Sequence, residues 1–165
     1  MLLPVGIALG SNLGDSSAEL DSGIAFLRSL SAEGRLRESP RLVTEPVDCP
    51  PGSPAFLNSV AEIELDPERV SPRDLLGKLQ AFELARGRAA VRGVNTPRPL
   101  DLDILYYGDF VVNEPDLVIP HPRAHVRRFV LEPLAHLRPG LILPGRGKTV
   151  RELWRKASAL SREEA

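Results

Sequence analysis

The chain is short of cysteine, aromatic residues, net charge and long apolar runs, and each shortage excludes something. Its single cysteine, Cys49, rules out an internal disulfide framework and any cysteine-rich zinc site. A formal net charge of −1 offers no basic surface for nucleic acid and no acidic tail. With 5% aromatic residues and no strand of the R/K-G-F type, a sheet-face RNA-binding module has little to build on. No run approaches the roughly 18–20 apolar residues of a membrane span. Met1 to Gly10 has no basic segment before its short, glycine-interrupted apolar stretch, so no signal peptide is expected. A soluble cytoplasmic protein follows, with no membrane and no nucleic acid among its expected partners.

What is present in excess is proline and glycine, sixteen and thirteen in 165 residues, clustered between the periodic segments. They predict long shaped loops, where binding sites tend to lie. The length predicts one domain, residues 1–165, with a sizeable core. Leu2 to Leu9 reads as a strand ending in the turn-rich Gly10-Ser11-Asn12-Leu13-Gly14-Asp15. Leu20, Ile24 and Leu27 set a helix over about 17–30, and Gly34 to Arg41 reads as a strand running towards Thr44. Glu45 to Pro54 is a proline-rich loop. Phe56 to Leu65 alternates, with Phe56, Asn58 and Val60 on one face and Leu57, Ser59 and Ala61 on the other. Ser71-Pro72-Arg73-Asp74 opens a helix with Ser as cap and an acid three residues on, and Gly87 stops it. After the D-x-D strand at 101–105, a hairpin is expected through Tyr107-Gly108-Asp109 to Val112. A helix broken near Pro133 is expected over Ala124 to His136, and a last one capped by Thr149. Helices on a largely antiparallel sheet make this α+β.

The most informative stretch is Arg98-Pro99-Leu100-Asp101-Leu102-Asp103-Ile104-Leu105. Residues i and i+2 of a strand share a face, with Cα atoms roughly 6.5–7 Å apart, so Asp101 and Asp103 stand side by side. Neighbouring carboxylates repel and resist desolvation, a conflict that divalent cations bridged by phosphates remove. Two solvated acids on an edge strand fit the same three letters. The basic loop immediately upstream, with Arg88, Arg92 and Arg98, offers guanidinium groups to phosphate oxygens, or is only a solvated loop. Gly145-Arg146-Gly147-Lys148-Thr149 is no P-loop, because Ile142 stands where that motif needs glycine. His121, Cys49 and the other histidines form no metal spacing. His121, held between two prolines, suits a phosphate contact or is a loop residue. Phe56 and Asn58 on one strand face suit a flat heteroaromatic ligand, although a strand phenylalanine is more often core.

Taken in order, five segments are similar to the 6-hydroxymethyl-7,8-dihydropterin pyrophosphokinase family of folate synthesis. They are Ala8 to Asp15, Thr44-Glu45-Pro46-Val47, Phe56 to Val60, Pro97 to Leu105 and Ile119-Pro120-His121-Pro122-Arg123, and the likeness spans roughly residues 5–144. The resemblance implies a ferredoxin-like α+β fold and transfer of the terminal diphosphate of ATP to the pterin hydroxymethyl group, leaving AMP. It implies two Mg²⁺ ions on Asp101 and Asp103, with Asp103, Arg88 and Arg98 in catalysis. Thr44, Val47, Phe56, Asn58 and Phe129 match pterin-binding positions. Gln80, Glu83, Arg88, Arg98, Ile104, His121 and Arg127 match ATP-binding positions. A monomer is expected. The chain departs from the family in one loop, where Ala90 replaces a common arginine and Asn95-Thr96 a Trp-Gly pair. Two other enzyme-level readings share the D-x-D: a palm-like nucleotidyltransferase, which would release pyrophosphate, and a slowed homologue that binds without turning over.

Overall fold

The computed structural model describes residues 1–45, 51–52, 54–87 and 99–164. Its centre is β1 (Leu3–Ser11), flanked by antiparallel β4 (Phe56–Leu65) and β5 (Asp101–Tyr107). β2 (Leu36–Glu38) and β3 (Leu42–Thr44) pair end to end along the outer edge of β4. Sequence alone predicts one strand here, and Pro40 divides it because it brings no N–H to the ladder. Ser39 bridges the break, its N–H donating to Val60 O and its Oγ accepting from Val60 N–H, both at 2.9 Å. With α1 (Ser16–Leu30) after β1 and α2 (Pro72–Ala85) after β4, the chain runs βαββαβ in the ferredoxin-like strand order.

The two helix starts follow from their caps. Asp15 Oδ1 accepts from Ala18 N–H at the head of α1. Ser71 and Asp74 bond each other's backbone in a capping box at α2, as their spacing predicts. Both helices pack on one sheet face, burying Leu20, Leu27, Leu75 and Leu79 against Val5, Ile7, Leu9 and Ile63. The opposite face carries α3 (Arg128–Leu137) and α4 (Val150–Glu164), with Val130, Leu131, Leu134 and Val150 against Val60, Leu105 and Tyr106.

A bulge decides how β5 serves both faces. Ile7 pairs with Ile104 and Gly6 with Tyr106, so Leu105 is an extra residue. Leu102, Ile104 and Tyr107 therefore join the first core, while Leu105 and Tyr106 join the second. The Tyr106 ring lies over Gly6, where an added Cβ would sit 2.2 Å from it. The Tyr106 hydroxyl donates to Glu62, which is paired with Arg138 at 3.0 Å and Arg37 at 3.3 Å. Arg138 closes the C-terminal end of α3, so this network seats that helix on the sheet.

Three expectations are corrected. The hairpin at 107–112 does not form; Gly108 N–H donates to Pro4 O and prolongs the β5–β1 ladder. β6 (Val112–Glu114) pairs instead with β7 (Leu117–Ile119) in a separate two-stranded sheet, turning through Pro115 and Asp116. α3 begins at Arg128 rather than Ala124, because residues 121–127 are wound into turns with Ala124 N–H on His121 O and Arg127 N–H on Arg123 O. Pro133 lies inside α3 without breaking it. Among the described residues no helix is long and apolar enough to cross a membrane.

Candidate active site

The α3–α4 layer covers only part of its sheet face. At the uncovered end, where β1 and β3 finish and β4 and β5 begin, a cavity of about 610 Å³ opens. β5 brings Asp101 and Asp103 into it, on the same face two residues apart and half-buried, as the strand periodicity predicts. β4 brings Phe56 and Asn58, and β3 brings Thr44. The turn after β7 brings His121, and the start of α3 with its preceding turn brings Arg127 and Phe129. Eight residues scattered over 44–129 thus share one space.

The backbone makes room for them. Gly10 faces the cavity between Asn58 and Asp101, its partners on either side. A Cβ there would lie 2.9 Å from Asn58 Oδ1. Asn58 is buried, and its amide donates to Thr44 Oγ1 at 2.6 Å, so the side chain is held before any ligand arrives. The bulge at Leu105 turns a carbonyl towards the chain after Pro120. Its acceptance of His121 N–H at 2.9 Å fixes that histidine beside β5.

Charge is divided between the walls. The strands carry Asp101 and Asp103, and the 121–128 segment carries Arg123, Arg127 and Arg128. Burial lowers the His121 pKa to about 4, helped by Arg127 and Arg123 and opposed by Asp101. The ring is therefore neutral at pH 7. Its Nδ1 accepts the Arg123 N–H at 3.1 Å, which leaves Nε2 to carry the proton. The Arg127 guanidinium sits 5.4 Å from the Phe129 ring centroid, within cation–π range.

Two carboxylates are few for a resident metal. Among the described residues no cluster of three or more Asp, Glu, His or Cys could hold one. An all-oxygen pair fits hard cations that keep waters and take their remaining ligands from substrate phosphates, as Mg²⁺ does. The cavity and its arginine wall leave space and charge for such phosphates.

Gln80, Glu83 and Ile104 do not border this cavity. Gln80 is exposed on α2, and the Ile104 side chain lies in the core on the other sheet face. Glu83 is buried behind β5. Val47, Arg88 and Arg98, with the departures at Ala90 and Asn95-Thr96, lie outside the described residues. Arg123, Arg128 and Glu132 border the cavity unassigned by sequence reasoning. Arg123 ends the Ile119 to Arg123 segment that carries part of the family resemblance; Arg128 and Glu132 had no local signal, since helix α3 brings them to the cavity rim.

Comparison with known proteins gives a family and a fold. A family model described as 7,8-dihydro-6-hydroxymethylpterin-pyrophosphokinase matches residues 6–139. A 2-amino-4-hydroxy-6-hydroxymethyldihydropteridine pyrophosphokinase of Pseudomonas aeruginosa is 39% identical over 145 residues, 87% of this chain and 86% of its own length. One of the same description from Haemophilus influenzae is 37% identical over 138 residues, covering 84% and 83%. Among solved structures, an HPPK-DHPS crystallised with substrates superposes with a TM-score of 0.75 at 11% identity, covering 97% of this chain. The wild-type Plasmodium falciparum HPPK-DHPS gives 0.66 at 14%. At such identities these two matches establish the fold. The chain spans 46% and 43% of those longer proteins.

Proposed function

Because the chain belongs to the 7,8-dihydro-6-hydroxymethylpterin-pyrophosphokinase family and transfers diphosphate from ATP to 6-hydroxymethyl-7,8-dihydropterin in folate synthesis, we propose that the cavity at the start of β5 is where it does so. The observation that carries this reading is the sharing of one cavity by Asp101 and Asp103 with Phe56, Asn58 and Phe129.

In this reading Phe56 and Phe129 hold the faces of the pterin ring, while Asn58 reads its polar edge with Thr44 and Val47. Asp101 and Asp103 hold two Mg²⁺ ions, which when bound neutralise phosphate oxygens and make the pterin hydroxyl more acidic. Arg127 and neutral His121, through Nε2–H, bond phosphate oxygens from the opposite wall; Arg88 and Arg98 do so from the loop the resemblance assigns to closure. Gln80 and Ile104 stay with the nucleotide on the resemblance alone. As the hydroxymethyl oxygen attacks the β-phosphorus, the bond from that phosphorus to the oxygen of the α-phosphate breaks and AMP departs. Asp103 accepts the hydroxyl proton. No covalent intermediate is needed, since phosphoryl transfer depends chiefly on positioning and charge stabilisation. Residues 1–165 act as one domain, as a monomer in the cytoplasm.

The test is an Mg²⁺-dependent assay with ATP and 6-hydroxymethyl-7,8-dihydropterin. AMP should form in step with the pterin diphosphate. Release of inorganic pyrophosphate instead would assign the site to nucleotidyl transfer.

A further inference from the structure

Glu83 sits where helix α2 should present an apolar side chain. Leu75, Leu79 and Glu83 follow one another at four-residue intervals, and all three are buried, Glu83 at 5% exposure. A carboxylate in that stripe is costly unless it is bonded. Its Oε2 accepts the N–H of Leu102 at 2.9 Å, in a buried hydrogen bond.

The position of that N–H matters more than the bond itself. Among the described residues β5 is the last strand on its side of the sheet, with β1 on one flank. Successive N–H groups of a strand point to opposite edges. The Leu102 N–H therefore leaves the sheet on the side away from β1, and Leu102 is only 4% exposed. Among the described residues no strand lies on that side to satisfy it. The peptide in question lies between Asp101 and Asp103, the two carboxylates that face the cavity. On the inner edge both neighbours are already registered, Asp101 opposite Gly10 and Asp103 opposite Ala8. Glu83 supplies the matching hold on the outer edge.

We infer that Glu83 is a positioning residue, which fixes the Asp101–Leu102–Asp103 backbone so that the two carboxylates keep their spacing before metal and nucleotide arrive. This rests on the reading of Asp101 and Asp103 as the metal-holding pair. It departs from the family resemblance, which groups Glu83 with the nucleotide contacts. Residues that orient metal ligands from behind commonly change metal affinity or activity by 10–100-fold, roughly, when lost.

The experiment compares Glu83→Leu, which removes the acceptor, with Glu83→Gln, which keeps one oxygen for the Leu102 N–H. The first measurement is hydrogen exchange of the Leu102 amide in protein free of metal and nucleotide. It should be protected in the wild type and in E83Q, and should exchange at least about tenfold faster in E83L. The second is the Mg²⁺ concentration giving half-maximal turnover, which should rise by about tenfold or more in E83L with the pterin KM little changed. E83Q should recover most of that loss. A Leu102 amide that exchanges alike in wild type and E83L overturns the inference. So does an E83Q as impaired as E83L with a raised ATP KM, which would mean that the charge meets the nucleotide. If E83L does not fold, E83Q decides alone: a protected Leu102 amide with a Mg²⁺ requirement within about threefold of wild type supports positioning, and a raised ATP KM overturns it. Exchange needs no substrate, so its result stands apart from the proposed function, which a wild type making no AMP would overturn.

Discussion

Asp103 and His121 both line the cavity, with different dependences on charge. Asp103 is asked to hold a cation and take a proton, so Asp103→Ala should lower AMP formation by at least about 10²–10³-fold, the scale of losing a preorganised electrostatic partner. Its far-UV circular dichroism should be unchanged, because the side chain points into the cavity rather than the core. Near-normal turnover would move the metal elsewhere. His121 is held neutral by burial and by Arg127 and Arg123, against the pull of Asp101, with a pKa of about 4. A histidine depressed below its ordinary 6.5 binds protons less readily folded than unfolded, so its contribution is full above about 6.5 and drains away as the pH falls towards 4. Wild-type melting temperature should thus fall more steeply across pH 6.5–4 than that of His121→Gln. The acids with lowered pKa, Asp74, Asp116 and Glu152, also cost stability in acid, but equally in both proteins, so parallel curves would refute the His121 contribution.

At the scale of elements, α2 is the part whose start the residues specify most directly. Ser71 and Asp74 close a capping box, and Ser71→Ala should cost about 1 kcal/mol in urea denaturation. A loss below a few tenths of that would mean water replaces the cap. The same directness explains what could be read beforehand. β4 was legible from end to end because Leu57, Ala61, Ile63 and Leu65 alternate in sequence with Asn58, Glu62 and Glu64. β5 was legible as a strand, and its D-x-D pair as one face of it, for the same reason. Long-range choices were not legible. β6 pairs with β7 and not β5 because Gly108 N–H finds Pro4 O, 104 residues away in sequence, and no local pattern encodes that. The bulge at Leu105 is likewise a negotiation between Gly6 and the Tyr106 ring. Arg128 and Glu132 reach the cavity only because α3 starts four residues later than its apolar pattern implies.

For the whole molecule, the sheet is the wall between two cores, and the site lies on one side of it. α1 and α2 pack against Val5, Ile7 and Leu9, while α3 and α4 pack against Val60, Leu105 and Tyr106. β1, β4 and β5 contribute to both cores, so neither layer can leave without exposing the strands that support the other. A domain built this way should unfold in one step over its whole length. The chain carries its own reporter, since its only tryptophan, Trp154, packs in the α3–α4 layer. Leu20, on α1 in the opposite layer, is fully buried, and Leu20→Ala should destabilise by about 2–5 kcal/mol. With a shared wall, Trp154 fluorescence and far-UV circular dichroism should shift to lower denaturant together and by the same amount. If the layers were independent, the Leu20 variant would move the dichroism while the Trp154 midpoint stayed at its wild-type value. Coincident midpoints would also place the cavity under the control of both cores, because Asp101 and Asp103 stand on the wall that both hold in place.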